Sequence, residues 1–174
     1  MGTLMLKPKP DNNFIKKNII DVNKGIKITN FLSTSNIFTL QNINHKKQLF
    51  TKLSYLCEKN IYGSKSKFLK LFLDKEINES SGIGGGVAIP NIQISEIQSM
   101  FGIFIKLNKS INFNAVDNEP VDLIFTLISP KNQQPNHLNI LAFLSRLFIN
   151  KKIIKNLRAS LDKETIYAIL TNKL

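Results

Sequence analysis

The sequence predicts an α/β fold in which helices sandwich a small mixed β-sheet. Two segments, 100–107 (MFGIFIKL) and 121–129 (VDLIFTLIS), are dense in β-branched and aromatic residues on both faces. This pattern is typical of central strands that are covered on both sides. Amphipathic helical patterns precede and follow these segments, which favours helices on both faces of one sheet. The chain has 174 residues, of which 43% are hydrophobic, and this is sufficient for the core of a single domain.

The N-terminal region is expected to differ from the rest of the chain. Residues 1–35 alternate lysine, asparagine and single apolar residues without a sustained period. We therefore expect a poorly ordered basic extension, with a short helix near 14–22. A single domain would occupy residues 36–174 and begin with a short strand at 36–40 (NIFTL).

Two amphipathic helices are predicted next. Apolar residues recur at three- and four-residue steps from Leu49, which indicates a helix capped by Asn42 or Asn44. A glycine then breaks the chain, and Ser64 is expected to cap a second helix. Its apolar face begins at Phe68, and lysines lie opposite.

In the second half of the chain, predicted strands come first and predicted helices follow. A short strand ends at Asn91, and the two dense strands follow, joined by a polar connection over 108–120. A long helix opens at Pro135, because proline is favoured in a first helical turn. Two shorter helices are expected over 151–157 and 162–170.

The net charge of +12 raises the possibility of a nucleic-acid or anionic-surface binder. Of the 24 basic residues, 22 are lysines and only Arg146 and Arg158 are arginines, whereas base recognition and bidentate phosphate binding favour arginine. The glycine-rich segment also lies in the only acidic quarter, 81–130, which carries two lysines and four acidic residues. Nucleic-acid binding is therefore the least favoured of the functions considered.

Few side chains suit a metal or redox site. The single cysteine, Cys57, lies in a helical apolar pattern and is expected to be buried and inert, and one cysteine excludes an internal disulfide. His45 lies among lysines and is expected to be a solvated surface residue. No cofactor and no metal are expected. Because no apolar run approaches bilayer length, we expect no membrane insertion and a cytoplasmic protein.

The segment GIGGGVAIPN (82–91) is the most unusual stretch of the chain. Counted from Gly82 or from Gly84, the sixth position of a dinucleotide-binding GxGxxG motif is not glycine, and the segment lacks the GK[ST] ending of a Walker A loop. Both motifs must also open a helix, whereas Pro90 here follows a strand. The segment either turns the chain or positions Asn91, whose direction Pro90 restricts.

His137 is the second candidate functional residue. With Leu141, Leu144 and Phe148 it follows steps of four, three and four along the long helix, so this stripe should face the sheet. A histidine there lies near a helix N-terminus, which favours anions. A purely structural histidine fits the same pattern.

Four motifs together resemble the enzyme IIA domains of the bacterial phosphotransferase system, of the fructose, mannitol and nitrogen type. They are SSGIGGGVAIPN, FNAVDNEPVDLIFTLISP, NHLNILAFLSRLF and LRAS, in this order. The nitrogen-regulatory branch is the most similar. The resemblance covers residues 35–172 and implies the corresponding IIA fold.

The resemblance also implies three site positions. The family pattern ends its glycine loop with Ala-Ile-Pro-His, and that histidine accepts a phosphoryl group from an HPr-type carrier. Asn91 stands at this position. A second family histidine falls on His137, and a family arginine that precedes the glycine loop falls on Lys75.

The loop that would shape this site contains Ser81, Gly82, Gly84 and Pro90. A neutral imidazole offers a free nitrogen lone pair, whereas the amide nitrogen of asparagine has its lone pair delocalised into the carbonyl. Asparagine can replace hydrogen bonds of histidine, but it cannot carry phosphate.

Three functions follow as hypotheses. The first is a degenerate nitrogen-type enzyme IIA that regulates by binding; the resemblance implies an HPr-type carrier, potassium transporters and sensor kinases as partners. The second is an active phosphoryl acceptor that uses His137. The third is the basic binder of nucleic acid or anionic surfaces, whose binding should fall steeply with salt.

Overall fold

The structure, a computed structural model, describes residues 25–172. Within these residues, six strands form one mixed sheet in the order β1-β5-β6-β3-β2, with β4 also paired to β6. The strands are β1 (Ile37–Leu40), β2 (Gly82–Gly84), β3 (Val87–Ala88), β4 (Asn91–Ile94), β5 (Phe101–Ile111) and β6 (Val121–Pro130). The α-helices of the same residues are α1 (Lys46–Asn60), α2 (Lys65–Asn78), α3 (Gln134–Leu147), α4 (Lys151–Ala159) and α5 (Lys163–Thr171).

The centre of the sheet is the antiparallel pair β5–β6. Strand β1 runs parallel to β5, and β3 and β4 run parallel to β6, one after the other along its free edge. Strand β2 pairs antiparallel with β3. The sheet is thus mixed, as the sequence predicts.

Helices cover both faces of the sheet because successive side chains of β6 point to opposite sides. Ile124 and Ile128 pack in one core with the apolar residues of α1 and α2. Phe125 and Leu127 pack in a second core with the apolar residues of α3, α4 and α5. The predicted α/β sandwich is confirmed.

The second core contains a cluster of four phenylalanine rings. The ring of Phe125 lies 6.1 Å from that of Phe31, 6.4 Å from that of Phe104 and 6.2 Å from that of Phe148, measured between centroids. Phe104 and Phe148 are also stacked at 6.4 Å. Aromatic pairs at such separations add to the stabilisation from burial.

The segment before residue 36 contributes to this core. Ile28, Phe31 and Leu32 are buried, and the segment carries short 3-10 helices at Ile28–Asn30 and Thr34–Asn36. The amide of Gly102 donates to the carbonyl of Phe31 at 2.6 Å. The packed chain therefore begins earlier than residue 36, because apolar residues without a regular period fill space beside the sheet.

The remainder of the expected extension, with the helix near 14–22, lies outside the described residues. None of the helices among residues 25–172 has both the length and the apolar character needed to cross a membrane.

The cap of α1 was predicted wrongly. The N-cap is His45, whose Nδ1 accepts the amide N–H of Gln48 at 3.4 Å. Asn42 instead adopts a left-handed conformation with φ of 61°, and the amide of Asn44 donates to the side chain of Gln48. His45 is exposed, as predicted. The Ser64 cap of α2 is confirmed, since its hydroxyl accepts the amide N–H of Lys67.

Cys57 is fully buried in α1, as predicted. Burial disfavours the charged thiolate and raises the pKa of this thiol to about 12. A thiol with so high a pKa is almost entirely protonated at neutral pH and is therefore a poor nucleophile.

Candidate functional site

A cleft of about 340 Å³ opens where β4 begins, between α2 and the first turn of α3. Strand β4 starts at Asn91, immediately after Pro90, and not, as predicted, with Asn91 as the last residue of the preceding strand. The carbonyl of Pro90 accepts the amide N–H of Leu127 and so joins β3 to β4 along β6. The cleft lining includes Lys75, Ser81, Ile83, Pro90, Asn91 and His137.

The side chain of Asn91 connects both sides of the cleft. Its Oδ1 accepts a hydrogen bond from the ammonium of Lys75 and lies 3.2 Å from Nε2 of His137. Its Nδ2 donates to the carbonyl of Ile89 at 3.0 Å. An ammonium can only donate, so Oδ1 must be the atom that faces Lys75. The amide is thus held between a lysine from α2 and a histidine from α3.

His137 is buried, with 2% of its surface exposed, and its ring has one defined tautomer. Because Asn91 Oδ1 can only accept, Nε2 carries the proton in the contact of 3.2 Å. In the neutral ring, Nδ1 then accepts from the hydroxyl of Ser129 at 2.7 Å. Both ring nitrogens are engaged, and neither presents a free lone pair to the cleft.

The ring of His137 is neutral at neutral pH. Burial, and in second place the positive charge of Lys75, lower the pKa of His137 from its ordinary value of 6.5 to about 4. A neutral ring is consistent with the tautomer that the two contacts define.

This shift makes stability depend on pH. Between pH 6.5 and about 4 the unfolded state binds a proton at this position and the folded state does not, so the free energy of unfolding should fall as pH falls through this window. We expect a loss of about 1–3 kcal/mol from His137 between neutral pH and pH 4. Denaturant titrations of the wild type and of His137→Gln at both pH values measure it: the variant should lose less stability on acidification. Equal losses in both proteins would contradict the expectation.

Lys75 lies in the last turn of α2, at the rim of the cleft. Partial burial lowers the pKa of its ammonium, and the nearby Glu79 offsets part of this effect. The next residue, Glu76, accepts the amide N–H of Ser81 and pairs with Lys46 at 2.6 Å. Glu76 therefore fixes the start of the glycine segment to the helix that carries Lys75.

Ser81 lines the cleft next to this helix, and Gly82 follows it at the start of β2. The carbonyl of Ser81 accepts the amide N–H of Ile89 at 2.8 Å. Its hydroxyl has no hydrogen-bond partner among the described residues and is buried. A Cβ on Gly82 would lie 2.8 Å from that of Ala115, so this position requires glycine.

The remaining glycines form a turn away from the cleft. Gly84, Gly85 and Gly86 have φ of 98°, 64° and 80°, which other residues rarely adopt. Positive φ at two central positions is typical of the tight type I′ hairpin, which here joins β2 to β3. Arg158 donates to the carbonyl of Gly85 at 3.0 Å and pairs with Asp122 beside Gly86. These glycines turn the chain and do not hold a ligand in the cleft.

Gly86→Ala tests this role. A Cβ at Gly86 would overlap Nη2 of Arg158 and lie 3.0 Å from Oδ1 of Asp122. Strain and the displaced ion pair should lower the free energy of unfolding by about 2–3 kcal/mol. Gly85→Ala is the matched control: its φ is also positive but its Cβ would meet nothing within 4 Å, so we expect a loss of only about 1 kcal/mol. Thermal or denaturant unfolding measures the loss for each variant. Equal losses would show that the contact with Arg158 does not contribute to the effect of Gly86→Ala.

Comparison with known proteins identifies the family. The family model for the phosphoenolpyruvate-dependent sugar phosphotransferase system, EIIA 2, matches residues 30–173. The chain belongs to this EIIA 2 family. The nitrogen regulatory protein of Bradyrhizobium diazoefficiens is 32% identical over 143 residues, which cover 82% of this chain and 94% of that protein. The nitrogen regulatory protein of Escherichia coli is 34% identical over 128 residues, covering 73% of this chain and 78% of that protein.

Solved structures agree with this EIIA 2 assignment. The nitrogen regulatory protein IIA-Ntr of Neisseria meningitidis has a TM-score of 0.78 and 33% identity, covering 83% of this chain and 99% of that one. The mannitol IIA of Escherichia coli, with a TM-score of 0.68 and 15% identity over 80% of this chain and 98% of that one, shares the fold. The predicted resemblance to the nitrogen-regulatory enzyme IIA is confirmed.

The EIIA 2 fold brings together the residues singled out from the sequence. Lys75, Asn91 and His137 make direct contacts, and Ser81 and Pro90 line the same cleft. Gly82 and Gly84 do not line the cleft; they flank Ile83 in β2, and Ile83 does line it.

Ser129, which orients the ring of His137, was not singled out. Its signal was present, because Ser129 ends the mostly apolar segment VDLIFTLIS and most buried hydroxyls have a hydrogen-bond partner. The same reasoning would have selected Thr126 as well. The hydroxyl of Thr126 is buried without a partner among the described residues.

Proposed function

We propose that this nitrogen-regulatory enzyme IIA acts by binding partner proteins and does not accept a phosphoryl group. The observation that supports the proposal is the amide of Asn91, held between Lys75 and His137 at the position where the family pattern has its acceptor histidine. The amide oxygen is used by both neighbours, and the amide nitrogen is not nucleophilic because its lone pair is delocalised. The side chain completes the hydrogen bonds of the site and lacks an atom that can attack phosphorus.

The alternative acceptor, His137, is less favoured by the geometry. Nε2 carries the proton, and the lone pair of Nδ1 is directed to Ser129. Attack on phosphorus would require breaking the contact with Ser129 inside the domain, or moving a proton from Nε2 in a buried site. Both changes add to the barrier of the transfer.

A protein without an acceptor would remain in one state. Phosphorylation adds nearly two negative charges, which can create or disrupt a docking surface. An HPr-type carrier could still dock but would not transfer its phosphoryl group. The family resemblance implies potassium transporters and sensor kinases as regulatory targets. Such targets would encounter only the unphosphorylated form.

Phosphoryl transfer from a charged carrier tests this proposal directly. The wild-type chain is incubated with phosphoenolpyruvate, the first enzyme of the phosphotransferase system and an HPr-type carrier, and intact mass is measured under alkaline conditions that preserve phosphohistidine. We expect the carrier to gain one phosphoryl group while the mass of this chain stays unchanged. Labelling of the carrier in the same mixture shows that the donor system is active.

His137→Gln is examined in parallel. A stable phosphoryl adduct on the wild type that disappears in His137→Gln would replace the proposal with the alternative acceptor. An adduct present in both proteins would also contradict the proposal and would require another acceptor residue.

A further inference from the structure

A second depression lies on the other side of the glycine turn. It has a cavity volume of about 820 Å³ and is enclosed by the β2–β3 turn, the loop after β5, the end of α3 and the helix α4. We call it the basic groove. Its lining includes Ile83, Val116, Asp117, Ile149, Lys151 and Lys155.

The basic groove exposes large apolar side chains. Val116 is 84% exposed and Ile149 is 75% exposed, and Ile83, at 36%, lies between them and the cleft. Single exposed apolar residues are ordinary, but three that line one depression are typical of an interaction surface. The ring of Phe148, which also lines the groove, is buried in the phenylalanine cluster.

One rim of the groove carries unpaired positive charge. Lys151 and Lys155 are four residues apart in α4, so they lie on the same side of the helix. Both are exposed, and neither has an ion pair or a side-chain hydrogen bond within the described part of the chain.

The other charged groups of the groove are already engaged. Arg158 is paired with Asp122, and Asp117 accepts the amide N–H groups of Gly85 and Glu119. These backbone hydrogen bonds lower the pKa of Asp117, with that from Gly85 the larger, so it remains ionised and structural. Lys151 and Lys155 supply the positive charge that no carboxylate of the described residues pairs with, and the ionised Asp117 at the other side of the groove offsets part of it.

We infer that the basic groove binds an acidic segment of a partner protein, whose apolar side chains cover Val116 and Ile149 while its carboxylates face Lys151 and Lys155. Nucleic acid fits less well, because the groove offers no exposed ring for stacking and its arginine is engaged by Asp122. A second copy of the chain fits less well too, since two molecules of net charge +12 repel each other.

The groove adjoins the cleft that holds Asn91. Ile83 lines both depressions, so a partner seated in the groove would border the cleft. This inference does not depend on whether Asn91 can carry phosphate, since none of the groove contacts involves Asn91.

Binding of a synthetic probe tests the inference. The probe is a fluorescein-labelled peptide of leucine and glutamate with leucines at helical spacing, and anisotropy is measured at physiological salt. Lys151→Glu/Lys155→Glu should weaken binding by about tenfold or more, because attraction becomes repulsion at the rim. Val116→Ser/Ile149→Ser should weaken it by about tenfold through lost apolar contact.

Matched variants control for net charge and for nonspecific binding to exposed apolar side chains. Lys152→Glu/Lys163→Glu changes the total charge equally at exposed lysines outside the groove, and Leu161→Ser removes an exposed apolar side chain elsewhere. Both should bind the probe within about twofold of wild type. Asn91→His should also leave probe binding unchanged, which separates this inference from the proposed function.

Four outcomes would overturn the inference. The first is equal loss in Lys152→Glu/Lys163→Glu, which would assign binding to net charge alone. The second is equal affinity for a peptide in which lysine replaces glutamate. The third is that Lys151→Glu/Lys155→Glu binds the peptide as wild type does but loses binding to duplex DNA or to anionic phosphatidylserine vesicles. This would assign the two lysines to another class of ligand. The fourth is self-association, seen by sedimentation, that the groove variants abolish while peptide binding is unaffected.

Discussion

Asn91→His is expected to turn this chain into a phosphoryl acceptor. The substitution places an imidazole between Lys75 and His137, in a cleft whose walls are already ordered by Glu76 and Ser81. A neutral ring nitrogen can attack the phosphorus of the carrier phosphohistidine, so that one P–N bond breaks as another forms. The ammonium of Lys75 then lies next to the negative charge that the phosphoryl group brings.

The expected change is from no adduct to about one phosphoryl group per chain, measured by intact mass after incubation with the charged carrier. Asn91→Gln is the matched control, because it keeps an amide and should stay unlabelled. Asn91→His combined with Lys75→Met should label at least about tenfold more slowly, since the cation next to the transferred group is lost. Failure of Asn91→His to label, while the carrier does, would show that an imidazole at position 91 is not sufficient for phosphoryl transfer in this cleft.

Among the substitutions proposed here, Phe125→Ala is expected to lower the free energy of unfolding the most. Phe125 lies in β6 with no exposed surface, and its ring contacts those of Phe31, Phe104 and Phe148. Removing it loses the transfer free energy of the ring and leaves a cavity among side chains from β5, from the residue after α3 and from the segment before β1. The free energy of unfolding should fall by about 3–5 kcal/mol, a large part of the total for a domain of this size.

Denaturant unfolding followed by circular dichroism measures this loss. Tyr62→Ala is the matched control, because Tyr62 is an aromatic residue with 87% of its surface exposed, and the change should stay within about 0.5 kcal/mol. A loss below about 1 kcal/mol in Phe125→Ala would mean that the ring cluster is not a unit of the core.

Under the proposed function, the contacts of Asn91 account for a site that is ordered without an acceptor. The oxygen of Asn91 accepts from Lys75 and His137, and its nitrogen donates to the carbonyl of Ile89. An apolar residue at this position would leave a buried ring nitrogen and an ammonium without an acceptor, which is costly. Asparagine satisfies the hydrogen bonds of the cleft and has no nucleophilic nitrogen.

Parts of the sheet could not be predicted from local sequence. Strand β2 consists of Gly82, Ile83 and Gly84, and glycine is depleted in strands, so the segment resembled a loop. Strand β4 follows a proline directly, and its four residues are too few to show a period. Both exist because of strand pairing: β2 pairs with β3 across the glycine turn, and β4 pairs with β6, which lies further along the chain.

The sequence by itself determined the two central strands, the helices on either side and the chemical identity of the side chain at position 91. These follow from periodicity, composition and the matched motifs, which are all signals carried by short stretches of sequence. Tertiary structure alone decided that Asn91 meets His137, 46 positions away, that Ser129 fixes the tautomer of that ring, and that Lys151 and Lys155 border an apolar groove. The physical reason is that these contacts depend on sheet register and helix packing, which no local pattern encodes.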